Sequence, residues 1–238
     1  MKVLKLSSGL DISKSDFHAC LVLLQEDQHM KIVKSRKFTN SSQGIVEYIA
    51  WFEKASKKYQ LPVHHVMEAT GVYHEYLAIS LFKSEENLSV VLPNKSKRYI
   101  EALGFKTKND KIDAQALAMM GAQQQLALWQ PLGDYFYQLR AMTRMYQTYQ
   151  ENITALHNQI EALTYGMYKQ TALIKDLQGL INRYKKLVEK LKSRIETHLL
   201  SDEEVARKVS GISKLKGLSI MTIAVLLAET NGFELFTN

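Results

Sequence analysis

Apolar and polar residues alternate from Val3 to Ile12, the spacing of a strand with one face in a core, so residues 3–12 are predicted as a strand. Phe17 to Gln25 and Met30 to Phe38 predict two more strands, separated by the polar turn Glu26-Asp27-Gln28-His29. Together they predict a three-stranded antiparallel start. Ser41 or Ser42 can cap a helix reaching about Tyr59, with Ile45, Tyr48, Ile49 and Phe52 on one face. Pro62 closes that segment, and Val63 to Met67 predicts a short strand. Gly71 leads into a helix carrying Tyr73, Leu77 and Leu81; Ser89 to Leu92 predicts a buried strand stopped by Pro93. Asn94 can cap a short basic helix to Leu103, and a loop over 104–109 precedes a helix from about Asp110 to Gln123. Periodicity alone supports an α/β class. The order β-β-β-α-β-α-β-α-α is that of an RNase H-like domain, placed over residues 1–130.

Beyond the Pro-containing joint of 123–133 the pattern changes. Leu139, Met142, Tyr146, Tyr149, Ile153, Leu156, Ile160, Leu163 and Met167 follow alternating steps of three and four, the heptad spacing of a coiled coil. The phase continues through Gln170, Ile174, Leu177, Ile181, Tyr184, Val188, Leu191 and Ile195. Residues 131–200 are therefore expected to be a helical coiled-coil region. The spacing fits a continuous rod and an antiparallel pair turning near Gly166–Gln170 equally well. Residues 201–238 read as the start of a further helical domain. There Val209-Ser210-Gly211-Ile212 and Lys216-Gly217-Leu218-Ser219 precede an apolar helix from Ile220 to Glu229, an outline like a helix-hairpin-helix.

The 238 residues are 46% hydrophobic and 23% charged, enough apolar content for a real core and too much for global disorder. A net charge of +7 suits a polyanionic partner. No stretch approaches the roughly 18 apolar residues of a membrane helix, and no signal peptide is visible, since Ser7 and Ser8 interrupt the first apolar run. The single Cys20 excludes an internal disulfide and fits a reducing cytoplasm.

Acidic residues fall where metal chemistry would need them. Asp11 lies at the end of the first strand, Glu68 closes Val66-Met67-Glu68, and Asp110 and Asp113 share one face at the start of a helix. Carboxylates converging from separated segments make an oxygen-rich site for Mg²⁺ or Mn²⁺, and two such ions are the usual apparatus of in-line phosphodiester chemistry. Each position also has a bland reading: Asp11 as a turn former, Glu68 as a solvated residue past its strand, and Asp110 and Asp113 as complements to a helix N-terminus. His18, His64, His65 and His74 lack zinc-site spacing and read as structural or exposed. Basic residues flank the acidic set at Lys95, Lys97, Arg98, Lys106, Lys108 and Lys111, where phosphate positioning is wanted. A second basic run from Arg183 to Lys216 includes Lys185, Lys186, Lys190 and Lys192 on the predicted long helix, where a nucleic-acid backbone could rest.

Four segments, Leu10-Asp11-Ile12-Ser13-Lys14, Glu68-Ala69-Thr70-Gly71-Val72-Tyr73, Leu92-Pro93-Asn94 and Asn109-Asp110-Lys111-Ile112-Asp113-Ala114, resemble the successive N-terminal motifs of DEDD-type insertion-sequence transposases, relatives of the Piv/MooV DNA invertases. The resemblance implies a RuvC-like N-terminal domain, a coiled-coil middle and a C-terminal transposase domain. It implies a metal-binding tetrad, matched by Asp11, Glu68, Asp110 and Asp113. It also implies recombination of donor and target DNA guided by a structured bridge RNA, by a homo-oligomer from dimer to tetramer. The family's nucleophilic serine stands in a Ser-Gly motif beyond the segment resembling 209–236. Ser210, followed by Gly211, sits too early to match it, so the resemblance assigns no nucleophile and no strand exchange to this chain alone. Two other readings are a RuvC-like structure-specific endonuclease using metal-activated water, and a non-catalytic RNA- or DNA-binding assembly module.

Overall fold

The computed structural model describes residues 2–69, 71–105, 109–168 and 170–234. The chain divides into two compact units, residues 1–131 and 132–238.

The first unit is built on five strands: β1 (Val3–Ile12), β2 (Asp16–Gln25), β3 (Met30–Thr39), β4 (Val63–Glu68) and β5 (Asn87–Val91). Their order in the sheet is β3-β2-β1-β4-β5. The first three are antiparallel neighbours, and β4 and β5 run parallel to β1. That mixed sheet, interrupted by helices in the predicted order, is an RNase H-like arrangement followed by a helical C-terminal part.

Side chains alternate across each strand, and the two faces are covered differently. Leu6, Leu10, Phe17, Ala19, Leu21, Val63 and Met67 pack with Tyr48, Trp51 and Phe52 of α1 (Ser42–Ser56) and Leu77 and Leu81 of α2 (Glu75–Lys83). Phe17, Phe38, Tyr48 and Trp51 meet ring to ring at 5.4 to 6.0 Å, mostly edge to face, the favoured aromatic geometry. The opposite face carries α4 (Asp110–Gln123), whose Leu117 and Met120 pack on Val66 and Val91 and whose Ala114 and Ala118 pack on Cys20 and Val22. α3 (Pro93–Ala102) adds Tyr99 to that layer. Trp129 donates its backbone N–H to Leu88 O at 2.7 Å, so the segment after α4 lines the β5 edge.

Local chemistry sets the boundaries. Ser41 caps α1 by accepting from Gly44 N, and Asn109 caps α4 by accepting from Ile112 N. Some boundaries differ from expectation: β5, expected over 89–92, runs Asn87–Val91, and α1 gives way to a 3-10 turn at Lys57–Tyr59. Leu92, not Asn94, is the N-cap of α3, because Pro93 lacks the N–H that a first helical residue leaves unused. Tyr73 precedes α2, which starts at Glu75.

The second unit contains α5 (Asp134–Tyr165), α6 (Thr171–Leu200), α7 (Glu203–Ile212) and α8 (Ile220–Glu229). Tyr135 stacks on His198 with centroids 4.2 Å apart, and Tyr149 meets Tyr184 at 5.6 Å. Residue numbers rise on one helix as they fall on the other, so α5 and α6 form an antiparallel hairpin and not a continuous rod. The heptad positions form its seam, with Leu139, Ile181, Val188, Leu191 and Ile195 buried and Ile153, Leu156, Ile160 and Leu163 half-buried. Met167, counted in the heptad, lies past the end of α5 and is 90% exposed. α7 and α8 close the base, where Val205, Val209, Ile223, Ala224 and Leu227 share a core with Leu139, Ile195 and Leu199. Arg144 grips Glu229 of α8 through Nε at 2.9 Å and Nη2 at 3.1 Å. The predicted segment 235–238 lies outside the described residues. Among the described residues no helix is long and apolar enough to cross a membrane.

Candidate acidic site and nucleic-acid surfaces

Asp11 and Glu68 are brought together by strand register. β1 and β4 pair in parallel with Leu10 opposite Met67, so the next step sets Asp11 beside Glu68, on strands about 4.8 Å apart. Both are half-buried. By alternation Asp11 shares its face with Gly9, and Glu68 shares its face with Val66, which is the face covered by α4.

The helix comes close because Gly9 has no side chain. A Cβ there would lie 2.0 Å from Ala114 O and 2.2 Å from Ala118 N, so backbone packs on backbone. Farther along, a Cβ on Gly121 would meet Ser7 Oγ at 2.3 Å. α4 therefore crosses β1 at van der Waals distance, and its acidic first turn sits over the strand end. Asp113 is one turn ahead of Leu117, which packs on Val66, and so leans toward the Glu68 side. Asp110 is one turn ahead of Ala114, which packs beside Cys20. His18, the cross-strand partner of Asp11, lies with Nδ1 3.7 Å from Asp110 Oδ2.

Glu68 accepts a 2.5 Å hydrogen bond from Ser96 Oγ, and Ser96 is fully buried on α3. Among the described residues, no group of three or more His, Cys, Asp or Glu side chains is drawn closely enough together to hold a metal ion. What the fold provides is a shared face with carboxylates from β1, β4 and α4. Their oxygen donors suit a hard cation in kind, and the arrangement described is open.

His64, His65 and His74 are buried. His64 and His65 are adjacent on β4 and point to opposite faces. His64 Nε2 lies 2.8 Å from Ser89 Oγ, and burial, helped by the charge of Lys5, lowers its pKa to about 4. His65 is fully buried, with Nδ1 2.7 Å from Tyr48 Oη, which lies 2.8 Å from Ser8 Oγ; Nε2 is 3.5 Å from Glu86. Burial lowers the His65 pKa as well. Burial also raises the Cys20 thiol to about 11, partly opposed by Lys111, so the thiol stays neutral and serves as a small apolar contact for α4. His74 is buried, and its pKa is lowered by that burial.

The basic candidates are at the surface. Lys95, Lys97 and Arg98 are exposed on α3, and Lys111 on the first turn of α4. Lys106 and Lys108 lie outside the described residues. On α6, Lys185, Lys186 and Lys190 are exposed and Lys192 is half-buried. Lys190 lines a groove between α5 and α6 together with Ser193, Arg194, Thr197, Ser201, Gln138 and Met142. Arg194 and the three hydroxyls were not singled out from the sequence. Their steps of three and four from Lys190 place them on one helix face, and that was the available signal.

The family model for DEDD transposases of the IS110 type, described as "Transposase", matches residues 8–169. The pilin gene-inverting proteins of Moraxella lacunata and Moraxella bovis are each 33% identical over 156 residues, covering 66% of this chain and 46% of the relative. The chain thus matches less than half the length of these relatives. Among solved structures, Thermus thermophilus RuvC in complex with a Holliday junction substrate is similar at 12% identity with a TM-score of 0.36, covering 49% of this chain and 91% of that one. The fold assignment rests on the strand order itself. With the family match covering residues 8–169, from the acidic site through α5, the chain belongs to the DEDD transposase family.

Proposed function

We propose that this chain supplies the metal-binding acidic site and the helical hairpin of a transposase-type DNA recombinase that works on donor and target DNA under the guidance of a structured RNA. The observation that carries the reading is the parallel pairing of Leu10 with Met67, one residue before Asp11 and Glu68, on the sheet whose one face α4 covers. Asp11, Glu68 and Asp113, with Asp110 at the rim, are the oxygen donors that would draw together around Mg²⁺ or Mn²⁺. Such an ion offsets charge at a phosphodiester phosphorus under attack.

The chain's own residues do the rest. Gly9 lets α4 approach, which fixes where the first-turn carboxylates stand. Lys95, Lys97, Arg98 and Lys111 supply cations near that face for backbone phosphates. The hairpin offers a second basic surface through Lys185, Lys186, Lys190 and Lys192, suited to RNA or DNA backbone. A homo-oligomer is part of the same reading. Relatives named as gene-inverting proteins support DNA inversion or transposition as the reaction of the complete protein.

The test incubates the chain with branched and linear DNA, structured RNA and Mg²⁺ or Mn²⁺. The reading expects salt-sensitive binding of both nucleic acids, with DNA binding at the acidic site strengthened by metal and lost in Asp11→Ala. Metal-dependent nicking of branched DNA with no protein–DNA adduct would favour a RuvC-like endonuclease. Binding unaffected by metal or by Asp11→Ala would favour a non-catalytic module.

A further inference from the structure

Ser96 is a fully buried hydroxyl in the first turns of an otherwise exposed, basic segment: Lys95, Lys97 and Arg98 around it all face outward. Its Oγ lies 2.5 Å from Glu68 Oε2, 3.0 Å from Pro93 O and 3.5 Å from Leu92 O. A serine has one proton to give. A bond to a carboxylate is about twice as strong as one to a neutral carbonyl, and the carboxylate is also the nearest acceptor. The proton therefore goes to Glu68.

We infer that Ser96 is a positioning residue for Glu68: it holds one carboxylate oxygen at the end of β4 and so restricts the rotamers open to a side chain on the α4 face. Glu68 sits at the last position of β4, where the strand no longer restrains a long side chain. A glutamate has three side-chain torsions, and a single hydrogen bond from a rigid helix removes much of that freedom. Hydrogen-bonded partners of metal-ligating carboxylates act in this way, and losing one typically costs about 10- to 100-fold in metal affinity. The inference rests on the proposed role of Glu68 as a ligand. It also gives α3 two functions, cations on its outer side and a fixed carboxylate on its inner side.

The test measures Mn²⁺ affinity of the whole chain by calorimetry or by the electron spin resonance of free Mn²⁺, for wild type, Ser96→Ala, Ser96→Cys, Glu68→Gln and the double variant Ser96→Ala with Glu68→Gln. Metal-free melting is followed alongside. Ser96→Ala should weaken Mn²⁺ binding about 10-fold or more, and Ser96→Cys, with a weaker donor, should fall between. In the Glu68→Gln background, removing the hydroxyl should change affinity little, because the effect runs through that carboxylate. Equal Mn²⁺ affinity in wild type and Ser96→Ala overturns the inference while leaving Glu68 as a ligand. So does an equal loss in both backgrounds, or melting so low that neither Ser96 variant folds, since either makes the role structural. Wild-type affinity in Glu68→Gln removes the ligand reading itself and the inference with it.

Discussion

Gly9 lies directly against the backbone of Ala114: a β-carbon at Gly9 would stand 2.0 Å from the Ala114 carbonyl oxygen. That approach sets how closely α4 can cross β1, and with it the distance from Asp11, two residues along the strand, to the acidic turn. The β-carbon is fixed by its backbone and the carbonyl is backbone itself, so neither can rotate away. Gly9→Ala should therefore cost more than the about 1–3 kcal/mol usual for an overpacked core. It should also lose divalent-metal binding along with stability. Chemical denaturation with and without Mn²⁺ checks both, and full stability in the variant would mean that α4 does not sit this close.

A second prediction concerns the opposite face. Tyr48 Oη sits between Ser8 Oγ and His65 Nδ1, all three buried. Tyr48→Phe keeps the ring packing on Phe17, Phe38 and Trp51 but leaves two buried polar groups without that partner. The expected loss is about 1–3 kcal/mol, read by urea unfolding. Metal and nucleic-acid binding should be unchanged, because this network faces away from α4.

The pH dependence follows from His64. Its folded pKa is depressed to about 4, from an ordinary value of 6.5. The unfolded chain takes up a proton near 6.5 that the folded chain refuses until about 4. The unfolded state therefore binds more protons in that window, and stability falls as pH drops through it, levelling off below. Replacement by Gln, which does not titrate, should flatten the slope of stability against pH between those values. Direct titration of the His64 ring by NMR should give a midpoint well below 6, and an ordinary midpoint would contradict its burial beside Ser89.

Much of this architecture was legible because it rests on local rules. Alternation in 3–12, 17–25 and 30–38 yields strands wherever one face must be buried, and the heptad from Leu139 to Ile195 yields a buried seam. Periodicity identifies a face but not what covers it. The choice between rod and hairpin was decided by the helix break between Tyr165 and Thr171. The acidic residues stood out by position, yet nothing in the sequence revealed that Gly9 is what admits α4. A lone glycine means something only when its neighbour is known. Ser96 was equally silent, one hydroxyl among lysines, and its burial emerges only when α3 is folded beside β4.

The hairpin yields a prediction about assembly and binding together. Ile153 and Ile160 are half-buried in the single chain, and placing Asp at both should dissociate oligomers or unwind that part of α5, as read by sedimentation. Charge reversal at Lys185, Lys186, Lys190 and Lys192 should weaken RNA binding and flatten its salt dependence, by roughly one unit of slope for each phosphate that is no longer neutralised. Adding Arg194→Glu should deepen the effect, since Arg194 shares the Lys190 groove. An unchanged slope would place the RNA elsewhere.

The central claim is that β1, β4 and α4 join their carboxylates around a divalent cation. Crystals of the chain soaked in Mn²⁺ and measured for anomalous scattering test it most directly. The account predicts a strong peak bounded by the carboxylates of Asp11 and Glu68 on the α4 face, absent from crystals of Asp11→Ala. A face that takes up no manganese, or a peak bound by other residues with Asp11 and Glu68 apart from it, would contradict it.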